Sequence, residues 1–467
     1  MQALTTKPMS KKVQIHFLGG AGTVTGSKFL LRFPNKTILV DCGMFQGVKK
    51  LRELNWAYLP IDVKEIDLVV LTHGHMDHTG FLPRLVKMGF NGAIWGTAPS
   101  LDVTEIILKD SAEIQEEDAR RANKEGFTRH NPAKPLYTVR DAERTLRLCR
   151  EQNRDEWIAV SDSISLRFRY NGHILGATFI EIEAYGKKFV FSGDVGRKGD
   201  PLLENPQKPE KADILFLEST YGDRLHPDEE QSKLERIVND TIGKGGTLII
   251  PSFAVERAQL LMYLLWQLQK AGRISSVPII LDSPMGANVL QLFNKHYDWH
   301  KLSRAECKSM CKQVRIVQSF NETWEIIDED QPKIIIAGSG MVGGGRVLTY
   351  LQQYLDRPET TVMLAGYQAE GTRGRQLLEG CKEIKFFGKY HPVKARIEYL
   401  ESLSAHADQQ ELIEWVEGIT EPPEKVFLIH GEPQALDMMR VKLRDEKGWS
   451  AEIPELFEIQ EVDLRAF

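Results

Sequence analysis

Residues 68–78 read Leu-Val-Val-Leu-Thr-His-Gly-His-Met-Asp-His, a short apolar run followed by three histidines and an aspartate within six positions. The run 68–71 predicts a buried strand, and residues 79–86 predict a helix that begins directly after the last histidine. A strand that ends in such a loop can turn all four polar side chains toward one small volume. They are His73, His75, Asp77 and His78. Because imidazoles and carboxylates suit zinc, the stretch predicts one half of a two-metal hydrolytic site.

Two metal ions need more ligands than one loop holds, and later parts of the chain supply them in order. His173 lies in a glycine-containing turn, and Asp194 and His430 follow the apolar runs 189–191 and 426–429. Each residue alone also fits a turn or a helix cap. Together, at successive predicted strand ends, they indicate the remaining imidazoles and a bridging carboxylate.

This order of residues resembles the metallo-β-lactamase superfamily, and the resemblance extends over nearly the whole chain. It implies two sets of zinc ligands that share a bridging Asp194, with manganese as an alternative metal because carboxylates are present. The first set is His73, His75 and His173, and the second is Asp77, His78 and His430. Asp41, which ends an earlier strand, is expected to orient ligand histidines or the water without touching the metal.

Two further segments narrow the resemblance to the β-CASP nucleases. Residues 214–224 end an apolar run in Glu218, and residues 402–408 read Ser-Leu-Ser-Ala-His-Ala-Asp around His406. The resemblance implies that His406 contacts the scissile phosphate or assists the leaving oxygen, with Glu218 orienting its ring. The predicted catalytic residues are Asp41, Asp77, Glu218 and His406.

Between these segments, short β-branched runs alternate with amphipathic helical stretches such as residues 255–270. That alternation is typical of a parallel sheet covered by helices. The sequence therefore predicts an α/β protein in which a metallo-β-lactamase αββα sandwich, residues 1–220 and 395–467, carries an inserted α/β β-CASP domain at residues 221–394. A length of 467 residues fits two domains.

Glycine-rich turns follow the predicted strands of the insertion, and ligands of open α/β sheets bind at the carboxyl ends of strands. The glycines within residues 338–345 let backbone N–H groups approach a phosphate, although tight packing explains such glycines equally well. Arginines near these turns favour phosphate binding. The predicted substrate-binding residues are Arg257, Ser339, Gly340, Arg346 and Arg373.

The family resemblance implies that the substrate is RNA, with single strands favoured. A histidine at the third family motif, here His430, accompanies RNA-acting members, whereas a valine accompanies DNA-acting ones. The expected reaction is hydrolysis of the phosphodiester by water, which leaves a 5′-phosphate and a 3′-hydroxyl. Cleavage within the strand and cleavage from its 5′ end both remain open.

Three alternatives are a DNA-acting β-CASP nuclease, a small-molecule metallo-hydrolase of the same superfamily and an inactive RNA-processing scaffold. The long insertion argues against the small-molecule hydrolase, and the intact ligand set argues against the scaffold.

Composition sets further limits. Because the net charge is −5, any contact with RNA depends on a local basic groove and not on the overall field. Five cysteines without a paired framework favour a reducing compartment. Residues 1–12 have no apolar core, so neither a signal peptide nor a membrane span is expected there, and the cytoplasm is the predicted location. The oligomeric state is left open.

Overall fold

The computed structural model describes residues 12–126, 131–227, 230–400 and 403–464. Two parts of the sequence interpretation, the segment 1–11 and Ser402, lie outside these ranges. Across the described ranges, no helix combines the length and apolar character that crossing a membrane requires.

Strands and helices are numbered here in chain order. The first eleven strands are β1 Lys12–Gly19, β2 Lys28–Arg32, β3 Thr37–Val40, β4 Leu68–Val70, β5 Ala93–Thr97, β6 Cys149–Gln152, β7 Ile158–Ser161, β8 Ile164–Tyr170, β9 Thr178–Ala184, β10 Lys187–Phe191 and β11 Ile214–Glu218. The next eleven are β12 Thr247–Pro251, β13 Ile279–Asp282, β14 Val314–Ile316, β15 Lys333–Ala337, β16 Thr361–Ala365, β17 Glu383–Phe386, β18 Lys389–Pro392, β19 Arg396–Leu400, β20 Lys425–Ile429, β21 Ala451–Glu452 and β22 Ile459–Asp463.

The α-helices alternate with these strands. They are α1 Lys49–Leu54, α2 Met76–Thr79, α3 Leu82–Lys87, α4 Ala98–Glu125, α5 Val139–Leu146, α6 Glu230–Gly243, α7 Arg257–Lys270, α8 Pro284–Lys295, α9 Arg304–Gln313, α10 Phe320–Asp328, α11 Val347–Tyr354, α12 Arg373–Leu378, α13 Gln409–Val416 and α14 Pro433–Lys447. Two short 3-10 helices lie at Val63–Glu65 and Tyr297–Trp299.

Two seven-stranded sheets face each other in the first part of the fold. Their strand orders are β22-β1-β2-β3-β4-β5-β6 and β21-β20-β11-β10-β9-β8-β7. Aromatic rings fill the space between them, and the rings of Phe191 and Phe216 stack with centroids 3.9 Å apart. Full burial of one such side chain contributes about 1.5–3 kcal/mol. The aromatic layer therefore holds the two sheets together.

Strand β11 shows why helices must cover the outer faces of this sandwich. Its side chains alternate, so that Ile214 and Phe216 join the core between the sheets. Leu215 and Leu217 point the other way and join a second core with Trp415 of α13. A strand that is apolar on both faces needs a layer on each side. The result is the predicted αββα sandwich.

A six-stranded sheet with the order β14-β13-β15-β12-β16-β19 forms the second part of the fold. All its neighbouring strands are parallel. The predicted β-branched runs form β12, β13, β15 and β16, and the predicted helix at 255–270 corresponds to α7. The expected parallel sheet covered by helices is confirmed.

The structure changes one boundary of the predicted division. Residue 394 was taken as the end of the insertion, but β19 pairs with β16 from Arg396 opposite Thr361 to Leu400 opposite Ala365. The N–H and C=O groups along that edge of β16 need this partner. The two-domain division remains a proposal, with the insertion extended to Leu400.

Candidate metal centre

Six strands of the sandwich end at the same edge. Strands β3 and β4 run parallel, as do β10, β11 and β20. Strand β8 is antiparallel to β9, which is antiparallel to β10, so the carboxyl end of β8 lies at this edge too. Each of the six strands ends at or leads into one predicted site residue. These residues are Asp41, His73, His173, Asp194, Glu218 and His430.

The histidine loop departs from its predicted shape in one detail. Asp77 and His78 lie on the separate one-turn helix α2, and the helix predicted at 79–86 corresponds to α3. The backbone N–H of Cys42 donates to the carbonyl of His78 at 2.7 Å. A Cβ atom at Gly43 would lie 1.5 Å from the carbonyl oxygen of Asp77, so this close approach requires glycine. The neighbouring strand end thus fixes the loop.

A first group of donor atoms consists of three imidazole nitrogens and one carboxylate oxygen. Nδ1 of His75 lies 3.1 Å from Nε2 of His73 and 3.2 Å from Nε2 of His173. Oδ2 of Asp194 lies 3.4 Å from Nε2 of His73 and 3.5 Å from Nε2 of His173. Ligand atoms about 2.0–2.1 Å from a tetrahedral zinc lie about 3.3 Å apart. The four donors therefore fit one zinc ion.

A second group lies beside the first and shares Asp194. Its other oxygen, Oδ1, is 3.2 Å from Nε2 of His78 and 3.3 Å from Nδ1 of His430. Oδ2 of Asp77 is 3.3 Å from Nε2 of His430 and 3.9 Å from Nε2 of His78. The two oxygens of Asp194 thus face two different sets of donors. This is the geometry that a bridging carboxylate requires.

Asp41 fixes the ring of His78. One carboxylate oxygen of Asp41 lies 2.7 Å from Nδ1 of His78, and the carboxylate also accepts from the N–H and the hydroxyl of Thr72, both at 2.8 Å. Because Nδ1 is held by the carboxylate, Nε2 turns toward the donor group. Both Nε2 of His78 and Oδ1 of Asp194 are buried and lack a hydrogen-bond partner among the described residues. Buried polar atoms normally have partners, and these two atoms face each other at 3.2 Å, so the pair fits a cation held between them.

Burial sets the protonation of the first donor group. It lowers the pKa of His75 to about 4 and lowers those of His73 and His173 well below the usual value. Neutral imidazole is the form that binds a metal. The lowered pKa values of these histidines therefore agree with a geometry that fits a metal ion.

His406 stands beside the donor groups and is held by Glu218. Nδ1 of His406 is 3.2 Å from a carboxylate oxygen of Glu218, and its Nε2 is 4.0 Å from Oδ2 of Asp194. Glu218 is fully buried and also accepts from the N–H groups of Val195 and Thr220. Although burial lowers the pKa of His406, the carboxylates of Glu218 and Asp194 raise it above the ordinary value. His406 is thus positioned for contact with an anion, and the two carboxylates favour its charged form.

Two predicted site residues adopt a backbone conformation that is rare outside glycine. The φ angles are +58° at Asp41 and +49° at His430. Such conformations are unfavourable and cluster at functional sites, where surrounding contacts impose them. The backbone conformation therefore supports a functional role for these two strand ends.

Three polar residues of the site were missed by the sequence interpretation. The side chain of Asn171 donates to the carbonyls of Ser192 and Asp194 and fixes the loop that carries the bridging carboxylate. Thr72 holds Asp41, and the hydroxyl of Thr220 lies 3.2 Å from Nδ1 of His430. Short polar side chains beside strand ends carry no distinctive sequence signal, since they also serve as ordinary caps and turns.

Three of the predicted substrate-binding residues lie at strand ends of the second sheet. Arg257 is 4% exposed, and its Nε and Nη1 have no hydrogen-bond partner in the described parts of the chain. Ser339 Oγ accepts from the N–H of Gly343 at 2.9 Å. A Cβ atom at Gly340 would lie 2.5 Å from the ring of Phe253. Tight packing thus explains Gly340, and Arg257 has the hydrogen-bonding capacity to take a ligand.

The other two predicted substrate-binding residues are engaged by the protein. Arg346 donates to Asp282 at 2.7 Å and to the carbonyl of Ser319 at 2.9 Å. Arg373 donates to the carbonyls of Lys385 at 2.8 Å and Gly343 at 2.9 Å. Both guanidinium groups therefore have structural partners, and their assignment to substrate stays a prediction.

Three protein-family models match the chain in the order of its parts. The metallo-beta-lactamase superfamily matches residues 22–144, and the Beta-Casp domain matches residues 258–377. The Zn-dependent metallo-hydrolase RNA specificity domain matches residues 390–454.

Several known proteins are similar to the chain over most of its length. Ribonuclease TTHA0252 of Thermus thermophilus is 34% identical over 427 residues, which cover 90% of this chain and 93% of that protein. The transcription termination factor FttA of Methanocaldococcus jannaschii is 29% identical and is matched over 90% of this chain and 67% of its own length. An RNase J-like protein of the same organism is 29% identical, over 90% of this chain and 93% of its own.

A solved structure supports the fold. A protein of unknown function from Enterococcus faecalis V583 aligns with a TM-score of 0.55 over 97% of this chain and 100% of its own, at 13% identity. Identity at that level speaks for the architecture alone.

Proposed function

The chain belongs to the metallo-β-lactamase superfamily and to its β-CASP branch, a family of metal-dependent hydrolases, and from that premise we propose that it is a ribonuclease. The proposed reaction is hydrolysis of phosphodiester bonds in single-stranded RNA at a site of two zinc ions, with manganese as the alternative metal. The proposed products carry a 5′-phosphate and a 3′-hydroxyl. The cytoplasm is the proposed location, since none of the five cysteines is paired.

One observation carries the two-metal part of the proposal. The two carboxylate oxygens of Asp194 face separate sets of donors at 3.2–3.5 Å. In this proposal His73, His75 and His173 hold one ion, Asp77, His78 and His430 hold the other, and Asp194 is shared. A metal pair, when bound, lowers the pKa of water and offsets the charge that develops on the phosphoryl oxygens.

Residues of the protein itself would orient the ring that transfers a proton during cleavage. Glu218 holds Nδ1 of His406, so Nε2 of the ring is left to face the substrate. When water attacks phosphorus, the bond to the 3′ oxygen breaks, and the proton on Nε2 can pass to that oxygen. Asp41 keeps His78 in one orientation throughout. These roles cover Asp41, Glu218 and His406, and the fourth predicted catalytic residue, Asp77, belongs to the second donor set.

RNA is the proposed substrate for three reasons. The matched RNA specificity domain spans both His406 and His430. Two of the similar proteins are named as a ribonuclease and as RNase J-like. In addition, a histidine at position 430 accompanies RNA-acting members of the resembled family.

The first experiment measures metal content and cleavage together. Purified protein is expected to hold close to two zinc ions and to cut a labelled single-stranded RNA faster than DNA of the same sequence. His75→Ala and Asp194→Ala are expected to lose metal and activity together. Stoichiometric metal with no cleavage of either nucleic acid would reject the ribonuclease, and undiminished cleavage by both variants would reject the metal site.

A second experiment decides how the strand is cut. RNA with a 5′-monophosphate and RNA with a 5′-triphosphate are digested in parallel, and the products are mapped. Mononucleotides released only from the monophosphate would indicate a 5′-exonuclease, whereas internal fragments from both would indicate an endonuclease.

A further inference from the structure

The two-stranded hairpin formed by β17 and β18 exposes aromatic rings that the fold does not use. Its strands pair from Glu383 opposite Pro392 to Phe386 opposite Lys389. One face is anchored, since Ile384 and Phe386 are each 1% exposed. The rings of Phe387 and Tyr390 are 45% and 62% exposed. Packing therefore explains one face of the hairpin and leaves the other to be explained.

The turn of the hairpin holds an unexpected residue. Phe387 and Gly388 have φ angles of +47° and +76°. Two-residue turns with both angles positive favour asparagine or aspartate before the glycine. A bulky residue in the left-handed region is disfavoured by its Cβ atom. The phenylalanine thus serves some purpose at the tip other than forming the turn.

Positive charge surrounds these two rings. Residues 382–394 contain four lysines and one glutamate, in a chain whose net charge is −5. All four lysines are exposed, and none forms an ion pair with another described residue. Nζ of Lys385 lies 5.4 Å from the centre of the Tyr390 ring. Exposed rings interleaved with unpaired cations are what single-stranded nucleic acid binds, by base stacking and phosphate contacts.

A chain of contacts connects the hairpin to the metal centre. Nε of Arg373 donates to the carbonyl of Lys385. Arg373 begins α12, which closely follows Tyr367, and the ring of Tyr367 lies 5.8 Å from that of Tyr221. The Tyr221 ring in turn lies 6.2 Å from that of His406. These contacts connect the hairpin to His406 beside the metal centre through the buried ring of Tyr221.

The sandwich contacts the same part of the insertion and also exposes aromatic rings nearby in sequence. A Cβ atom at Gly47 would lie 2.7 Å from the carbonyl oxygen of Glu370, so the loop before α1 packs against the turn that leads into α12. Just after Arg52, Trp56 and Tyr58 are 54% and 81% exposed. The guanidinium of Arg84 lies 5.9 Å from the centre of the Tyr58 ring. Exposed rings with cations beside them thus occur on both the hairpin and the sandwich.

We propose that the basic hairpin, residues 382–394, binds single-stranded RNA outside the metal centre. Bases stack on Phe387 and Tyr390, and the strand passes between the hairpin and the surface near Trp56. This inference rests on the proposed function, because it names a further contact for the same RNA. The unpaired lysines favour a polyanion over a protein surface as the occupant.

The test compares a long single-stranded RNA with a dinucleotide and with bis(p-nitrophenyl) phosphate. Phe387→Ala combined with Tyr390→Ala is expected to raise KM for the long RNA by about tenfold or more, with kcat nearly unchanged. Turnover of the two small substrates should stay at the wild-type level, since they do not reach the hairpin. Tyr297→Ala, which removes a ring that is 54% exposed elsewhere on the molecule, is the matched control.

Binding to an uncleavable RNA separates this inference from the proposed function. If the variant binds and cleaves the long RNA as wild type does, the hairpin proposal is overturned and the ribonuclease stands. If wild type binds the uncleavable RNA through the hairpin but does not cut the cleavable long RNA, only the ribonuclease proposal is rejected. A KM change that follows a change in oligomeric state would assign the hairpin to a protein interface and overturn the proposal.

A lysine variant provides an independent test if the aromatic variant fails to fold. Lys385→Ala with Lys389→Ala removes only exposed amines. The slope of log binding constant against log salt concentration is expected to become shallower by about 0.7 for each phosphate that the variant no longer binds. An unchanged slope would contradict the proposal.

Discussion

The predicted metal ligands of the sandwich and two predicted arginines of the insertion, Arg346 and Arg373, are used in opposite ways. On the sandwich side, a group of buried donors faces a common volume, and some atoms, such as Nε2 of His78, have no protein partner within the described ranges. On the inserted side, Arg346 and Arg373 are already bonded to the protein. The difference teaches that a converging set of buried, unsatisfied donors indicates a ligand, whereas a cation near a glycine-rich turn can be part of the scaffold.

Removal of a shared donor should have the largest effect. Asp194→Ala removes an oxygen from each donor set, so RNA cleavage is expected to fall at least about 10³-fold, together with the bound metal. Mass spectrometry for metal and a cleavage assay measure both. His300→Ala is the control, because this buried imidazole already bonds to the carbonyl of Phe293 at 2.8 Å. Equal metal content in the Asp194 variant and wild type would contradict the assignment of Asp194 to both donor sets.

Removal of His406 should lower turnover and spare the metal. His406→Ala is expected to reduce kcat by about 10²–10⁴-fold, the range for a group that moves a proton in the transition state. Glu218→Gln should give a smaller reduction, and the double variant should be little worse than His406→Ala, because the two act as a unit. Additive reductions in steady-state kinetics would show that Glu218 acts by itself.

Arg346 tests the scaffold side of the comparison. Arg346→Ala leaves the carboxylate of Asp282, which is fully buried, without its cation. The free energy of unfolding is therefore expected to fall by about 3 kcal/mol or more, measured by denaturant titration. Arg373→Ala removes hydrogen bonds to carbonyls and should cost less. Unchanged stability with a raised KM for RNA would return Arg346 to the substrate-binding set.

Asp41 should show the smallest effect. Asp41→Asn weakens the hold on His78 but leaves every donor in place, so zinc affinity is expected to fall by about 10–100-fold. Competition with a chromogenic chelator measures it. Wild-type affinity in this variant would mean that Thr72 and the loop backbone alone orient the ring.

The donor residues could be predicted because strand ends and histidine spacing are local features of the sequence. The run 68–78 placed four donors at one strand end, and each later donor also follows an apolar run or turn. The parallel sheet of the insertion was predictable for the same reason, since β12 and β15 consist of β-branched runs. Order along the chain then indicated which strand ends meet.

Other features depend on contacts between distant residues and could not be predicted. Nothing near Arg346 in sequence announces that Asp282 is its partner, 64 positions away. The role of Asn171 could not be predicted for the same reason, because its side chain donates to the carbonyl of Asp194, 23 positions away. The boundary proposed at residue 394 could not take β19 into account, because the pairing of β19 with β16 is a contact that the sequence near residue 394 does not announce.

Strand β20 has a consequence for the timing of synthesis. It lies parallel to β11 and leads into His430, although 206 residues separate the end of β11 from the start of β20. At about 5–20 residues per second, a ribosome needs roughly 10–40 s to make that interval. During most of this time the nascent chain holds His73 to Asp194 but lacks both His406 and His430. The protein therefore emerges beside its own messenger with an incomplete site, and a chain arrested before His430 is expected to be inert.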